Sequence, residues 1–115
     1  MTKEEYIERV KKNIPNAIKD YRVDCEGKRE TLILTPEHWS ITHYNDKSFS
    51  FFRYYFAEGK EQLSVNFIGE FEDWDEDTID KLCKEYIDSY NKVSLQVKEY
   101  KLKHELDKLE GDFND

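Results

Sequence analysis

Two cysteines and three histidines are the residues of this chain that could support nucleophilic or metal chemistry. Cys25 and Cys83 stand 58 positions apart, without the CxxC spacing of a redox or zinc site. His38 and His43 are five positions apart, so on a straight strand they face opposite sides and cannot bind one metal ion. These spacings predict a protein that is not an enzyme and that has no metal or cofactor. A small enzyme whose fold brings a cysteine beside a histidine stays open as an alternative.

Carboxylates are concentrated in one short segment, residues 70–80, which holds seven acidic residues and no basic one. The whole chain has 26 acidic and 18 basic side chains and a net charge of −8, whereas residues 1–69 carry 11 of each sign. A dense carboxylate row presents to a Lys/Arg groove roughly what a phosphate backbone presents, and the aromatic ring in its middle could anchor a contact. The predicted partner-binding residues are Glu70, Glu72, Asp73, Trp74, Asp75, Glu76, Asp77 and Asp80.

Two other interpretations of this segment stay open. Acidic residues favour the start of a helix, and Asp73, Asp75 or Asp77 could each be the N-cap. Capping needs only two or three carboxylates, however, and seven neighbours repel one another across a Debye length of about 8 Å. A loop that binds a divalent cation is the third interpretation, although the segment lacks the D-x-D-x-D-G pattern of such loops.

The spacing of apolar residues predicts the elements that hold this segment in place. A capping box at Thr2–Glu5 begins a first helix, and Pro15 ends or kinks it. Residues 21–71 alternate with period two between four turns, which predicts about five antiparallel strands. Residues 77–110 return to a helical period. The predicted fold is therefore α+β: an N-terminal helix, a five-stranded antiparallel meander and a long C-terminal helix.

One strand of this meander is rich in aromatic residues. Strict alternation places Phe49, Phe51 and Tyr55 on one face, and it places Phe52, Tyr54 and Phe56 on the other. Two interpretations remain open: a central strand that the helices cover on one side and that is partly covered on the other, or an exposed aromatic platform that contacts a partner.

The last helix is too long for the domain that it belongs to. Residues 77–110 would extend about 51 Å at 1.5 Å per residue, whereas a globule of this size is about 35 Å across. The helix therefore breaks near Asn91 or projects from the domain, which we place at residues 1–110 with a frayed tail at 111–115 after a Gly111 cap. Beyond Asn91 a second apolar set appears, separate from the main stripe. Two interpretations stay open: a break near Asn91 that lets both sets pack internally, or a face for a homodimer formed by Leu95, Leu102, Leu106 and Leu109.

Composition narrows the classes of function. We expect no membrane span, because no apolar run approaches 20 residues. We also expect no secretory signal and a cytoplasmic location, which is the host cytoplasm if a phage encodes the chain. Net acidity argues against direct binding of nucleic acid. The sequence therefore predicts a small acidic protein-binding module. Its most concrete form is a stoichiometric inhibitor, anti-CRISPR-like or DNA-mimicking, that docks on a basic nucleic-acid-handling protein; the alternative is an immunity protein that neutralises a basic toxin.

Overall fold

The elements follow the predicted order along the chain, and the predicted α+β fold is confirmed. The structure, a computed structural model, describes residues 1–23 and 25–113, with side chains up to Leu109. Its helices are α1 (Lys3–Asn13) and α2 (Glu76–Phe113), and a 3-10 turn (Phe71–Asp73) precedes α2. Five antiparallel strands form one meander in the order β1 (Ile18–Val23), β2 (Arg29–Leu34), β3 (Ser40–Tyr44), β4 (Ser48–Ala57) and β5 (Lys60–Glu70).

Helix α1 begins and ends for the reasons that its sequence predicts. The Thr2 hydroxyl accepts a hydrogen bond from the Glu5 backbone N–H at 3.2 Å, and the helix ends at Asn13, two residues before Pro15. The segment after the proline does not resume as a helix, because β1 begins at Ile18 and pairs with β2. The first strand is therefore three residues longer at its start than the alternation predicts.

The core lies between one face of the sheet and the two helices. It is mostly aromatic and aliphatic, and Tyr6 on α1 is at its centre, with its ring against Phe49 and its hydroxyl hydrogen-bonded to Thr42. Thr42 in turn donates to the Ser50 carbonyl at 2.8 Å, so the Tyr6 hydroxyl is the donor to Thr42. Burial raises the pKa of Tyr6 above its ordinary value. A polar chain thus crosses the core with each member paired.

The predicted faces of the aromatic strand are wrong in its second half. Phe49, Phe51 and Tyr54 are buried, whereas Tyr55 is 44% exposed. The pairing of β4 with β5 shifts register between Phe51 and Phe52, and the Tyr54 backbone N–H donates to a serine hydroxyl of α2 at 3.0 Å. Because of this irregularity the buried side moves from odd-numbered to even-numbered residues within the strand.

Helix α2 is continuous, so the alternative of a break near Asn91 is not found. Its sheet-facing stripe continues to Tyr100, whose ring contacts Phe56 near the β4–β5 turn. Beyond Tyr100 every described side chain of the helix is exposed, and the molecule measures 63 × 32 × 21 Å. The helix continues through Gly111, the predicted cap, to Phe113. Residues 114–115 of the predicted tail lie outside the described residues.

Replacing Thr42 with valine tests the buried polar chain. Thr42→Val keeps the side-chain shape but leaves the Tyr6 hydroxyl and the Ser50 carbonyl without their partner, which we expect to cost about 1–3 kcal/mol. Urea unfolding followed by circular dichroism measures this loss. Thr31→Val, on a half-buried threonine of β2, is the control and is expected to change stability by less than about 0.5 kcal/mol. Equal midpoints for the two variants would contradict the structural role of the chain.

Candidate protein-binding surface

The acidic segment forms the junction between β5 and α2, and a buried phenylalanine holds it in place. The Phe71 ring lies against Tyr6 and Phe49, with centroids 5.1 and 5.6 Å away, and the Phe71 backbone N–H donates to the Lys47 carbonyl at 3.1 Å. The next two side chains of the 3-10 turn are exposed carboxylates. The backbone of the turn is therefore held in place, and the carboxylates of Glu72 and Asp73 are exposed on it.

Asp75 caps α2, as one of the open interpretations predicts. Its Oδ1 atom accepts hydrogen bonds from the Thr78 backbone N–H at 3.0 Å and from the Thr78 hydroxyl at 2.9 Å. The bond from the backbone, followed by that from the hydroxyl, lowers the pKa of the Asp75 carboxyl. One of the predicted partner-binding carboxylates thus has a structural role at the helix start.

Asp80 and Glu76 are paired within the protein. The Arg9 guanidinium on α1 donates through Nε to Asp80 Oδ1 at 2.7 Å and through its terminal nitrogen to Asp80 Oδ2. The Asn13 amide donates to the same Oδ1 at 2.8 Å, and Glu76 lies 3.5 Å from Arg9. The bonds from Arg9 lower the pKa of Asp80 to about 2. This bidentate pair joins α1 to α2.

Trp74 also packs against other residues of the protein. Its ring meets Phe67 edge-on, with centroids 4.7 Å apart and an interplanar angle of 86°. It lies so close to Gly69 that a Cβ added there would be 2.8 Å from the Trp74 Cδ1 atom. The indole is half-buried, so only part of it remains available to a partner.

Four carboxylates of the junction are free to meet a partner: Glu70, Glu72, Asp73 and Asp77. All are exposed, and none forms an ion pair within 4 Å with a described side chain. We call these four residues the open acidic set. Lys3 and Lys47 lie in the same hollow of about 560 Å³ as Glu70 and Glu72, so the protein's own cations border the set on that side without pairing to it.

Helix α1 adds two carboxylates that the sequence analysis missed. Glu5 and Glu8 line a hollow of about 140 Å³ with Arg9, Lys12 and Glu76. They come beside the junction because α1 packs on α2. The sequence shows that this side of α1 is polar, but the packing of one helix on another far along the chain is not visible in the residue pattern.

The cysteines do not support the alternative of a nucleophile. Cys83 lies in the core, and burial raises the pKa of its thiol to about 12, so it is protonated at neutral pH. Cys25 is exposed in the β1–β2 turn. A hollow of about 280 Å³ beside α2 has a partly aromatic lining, and no described residue that lines it is a cysteine or a histidine.

His43 takes part in a polar network on the sheet face opposite to α1. Its Nε2 atom is 2.7 Å from the Ser40 hydroxyl and its Nδ1 atom is 3.3 Å from the Arg22 guanidinium. Because a guanidinium only donates, Nδ1 accepts, and the ring proton on Nε2 is directed at Ser40. Burial, followed by the charge of Arg22, lowers the pKa of His43.

The remaining observations concern metals, membranes and known proteins. Among the described residues no group of three or more His, Cys, Asp or Glu side chains is placed to hold a metal ion. No helix in the described part of the chain is long and apolar enough to cross a membrane. Comparisons with protein-family models, with curated proteins and with solved structures found no match.

The pairing of Asp80 predicts how stability depends on pH. Because folding lowers the pKa of Asp80 to about 2, the pair stabilises the protein above the ordinary pKa of aspartate, and this contribution is lost as the pH falls from about 4 towards 2. Asp80→Asn should therefore flatten the fall in unfolding free energy over that range, measured by urea titration at several pH values. Asp88→Asn, on an exposed residue of α2, should keep the wild-type slope. Identical slopes for wild type and Asp80→Asn would contradict the assignment.

Proposed function

We propose that this protein is a small acidic binding module that docks its β5–α2 junction on a basic protein. The most concrete form is a stoichiometric inhibitor that occupies the nucleic-acid-binding cleft of its partner. The observation that carries the proposal is the open acidic set, whose four carboxylates are exposed and unpaired among the described side chains. Exposed like charges held close together repel one another, and a cationic partner relieves that repulsion.

The rigidity of the junction supports this proposal. Phe71 fixes the turn that carries Glu72 and Asp73, and the cap at Asp75 fixes the start of α2 that carries Asp77. A charged surface that is already ordered loses little conformational entropy on binding. Glu5 and Glu8 of α1 extend the negative surface beside it. A lysine- or arginine-lined groove is the complementary surface.

A triple charge reversal tests the proposal. Glu70→Lys, Glu72→Lys and Asp73→Lys together change three members of the open acidic set and leave the Asp75 cap and the Arg9 pair intact. The matched control reverses three exposed carboxylates elsewhere, namely Glu58, Asp88 and Asp107. The wild type and the control should capture the same basic protein from cell extract, and duplex DNA and added salt should release it.

The reversed variant should bind that protein at least about tenfold more weakly, since three exposed ion pairs contribute about 0.5 kcal/mol each. Titration of the purified partner, followed by calorimetry, measures this difference. Equal affinity of the reversed variant and the control would exclude the junction as the docking surface. If duplex DNA does not displace the captured protein, the proposal of an inhibitor that occupies a nucleic-acid-binding cleft is contradicted. The broader proposal of an acidic binding module would then still hold.

A further inference from the structure

The second half of α2 carries an apolar stripe that the protein's own fold does not cover. Its members are 52–59% exposed: Leu95, Leu102, Leu106 and Leu109. At 100° per residue, they lie about 180° around the helix from the sheet-facing residues Val93, Val97 and Tyr100. No described side chain beyond Tyr100 is buried. A helix that is apolar on two opposite sides requires two contacting surfaces, and the sheet provides one.

The leucines repeat as a coiled-coil seam. Leu95, Leu102 and Leu109 are seven residues apart and take the d positions of a heptad. Leu106 lies four residues after Leu102 and three before Leu109, which is the a position between them. Lys98 and Glu105 take the g positions on one flank of the seam, and Lys103 takes an e position on the other flank. Glu99 takes an a position within the seam, and a single charged a position fixes the register of a coiled coil at a cost in stability. These four residues are exposed, and none forms an ion pair with a described side chain.

The flanking charges favour one arrangement of a second copy. In a parallel pair, Lys98 would face Lys103 of the second chain, because opposite flanks meet across a parallel seam. In an antiparallel pair the same flanks meet. If Leu95 is placed opposite Leu106 of the second chain, Lys98 then faces Glu105, and Glu99 lies opposite Leu102. The flank that carries Lys98 and Glu105 is therefore self-complementary in the antiparallel orientation, whereas the parallel orientation brings Lys98 against Lys103.

We propose that the C-terminal half of α2 forms an antiparallel two-helix dimer with a second copy of this chain. The leucine stripes form its seam, and the Lys98–Glu105 pairs, one in each direction across the seam, set its orientation. The β5–α2 junctions then lie at the two outer ends, about 70 Å apart at 1.5 Å per helical residue. This inference does not rest on the proposed function, because the stripe and the junction share no residue.

Solution mass tests the seam. Sedimentation equilibrium from micromolar to millimolar concentration should give a species of twice the chain's 13.9 kDa, whereas the double variant Leu102→Asp and Leu106→Asp should stay at the mass of one chain. Ile68→Asp, on a more exposed apolar residue of β5, should remain dimeric, and circular dichroism should show all three proteins folded. A monomeric wild type, or a dimeric double variant, would overturn the proposal.

Cross-linking tests the direction of the helices. The exposed Cys25 is first replaced by serine, and the buried Cys83 is left in place. A mixture of the Lys98→Cys and Glu105→Cys chains, treated with a short thiol cross-linker, should give a covalent heterodimer. A mixture of Lys98→Cys and Lys103→Cys chains should give several-fold less. The reverse ratio would show a parallel dimer and overturn the assignment.

Discussion

The fold depends on the burial of Tyr6 against the sheet. This one side chain joins α1 to the rings of Tyr44, Phe49 and Phe71, and through its hydroxyl it reaches Thr42 in β3. A buried tyrosine hydroxyl needs a partner, so the hydrogen bond fixes the depth and the direction of the ring as well as its burial. Because Phe71 belongs to the same cluster, the position of α1 also determines where the acidic junction leaves the core.

The carboxylates of the junction fall into two groups, those with a partner inside the protein and those without one among the described side chains. Carboxylates that face α1 or the first turn of α2 have partners inside the protein, with Arg9 holding Asp80 and Thr78 holding Asp75. The carboxylates of the open acidic set are exposed and form no ion pair with a described side chain. The seven acidic residues of positions 70–80 are therefore not equivalent, because Asp80 and Glu76 pair with Arg9 and Asp75 caps α2.

The sequence predicts the order and type of the elements because apolar spacing and turn residues are local signals. It does not predict the irregularity in β4, which depends on a register shift against β5 and on a bond from the Tyr54 backbone to α2. The sequence locates the acidic segment but does not distinguish its paired carboxylates from its unpaired ones, because Arg9 is about seventy positions away and meets Asp80 only through tertiary packing. The position of Glu5 and Glu8 beside the junction is not visible in the sequence for the same reason. The residue pattern near Asn91 is compatible with a break or a continuous helix, and α2 is continuous there.

The length of α2 is the feature that joins the two proposals. A helix that only had to cover the sheet would end near Tyr100, its last contact with the body of the domain. Projection of a further three turns into solvent adds backbone that no sheet contact stabilises, and exposed leucines there favour association. Contact with a second copy would bury those leucines and compensate for the added length. Such a dimer would present two acidic junctions on one rigid axis, so that a partner with two basic sites could be held at both, and the second contact would form at high effective concentration.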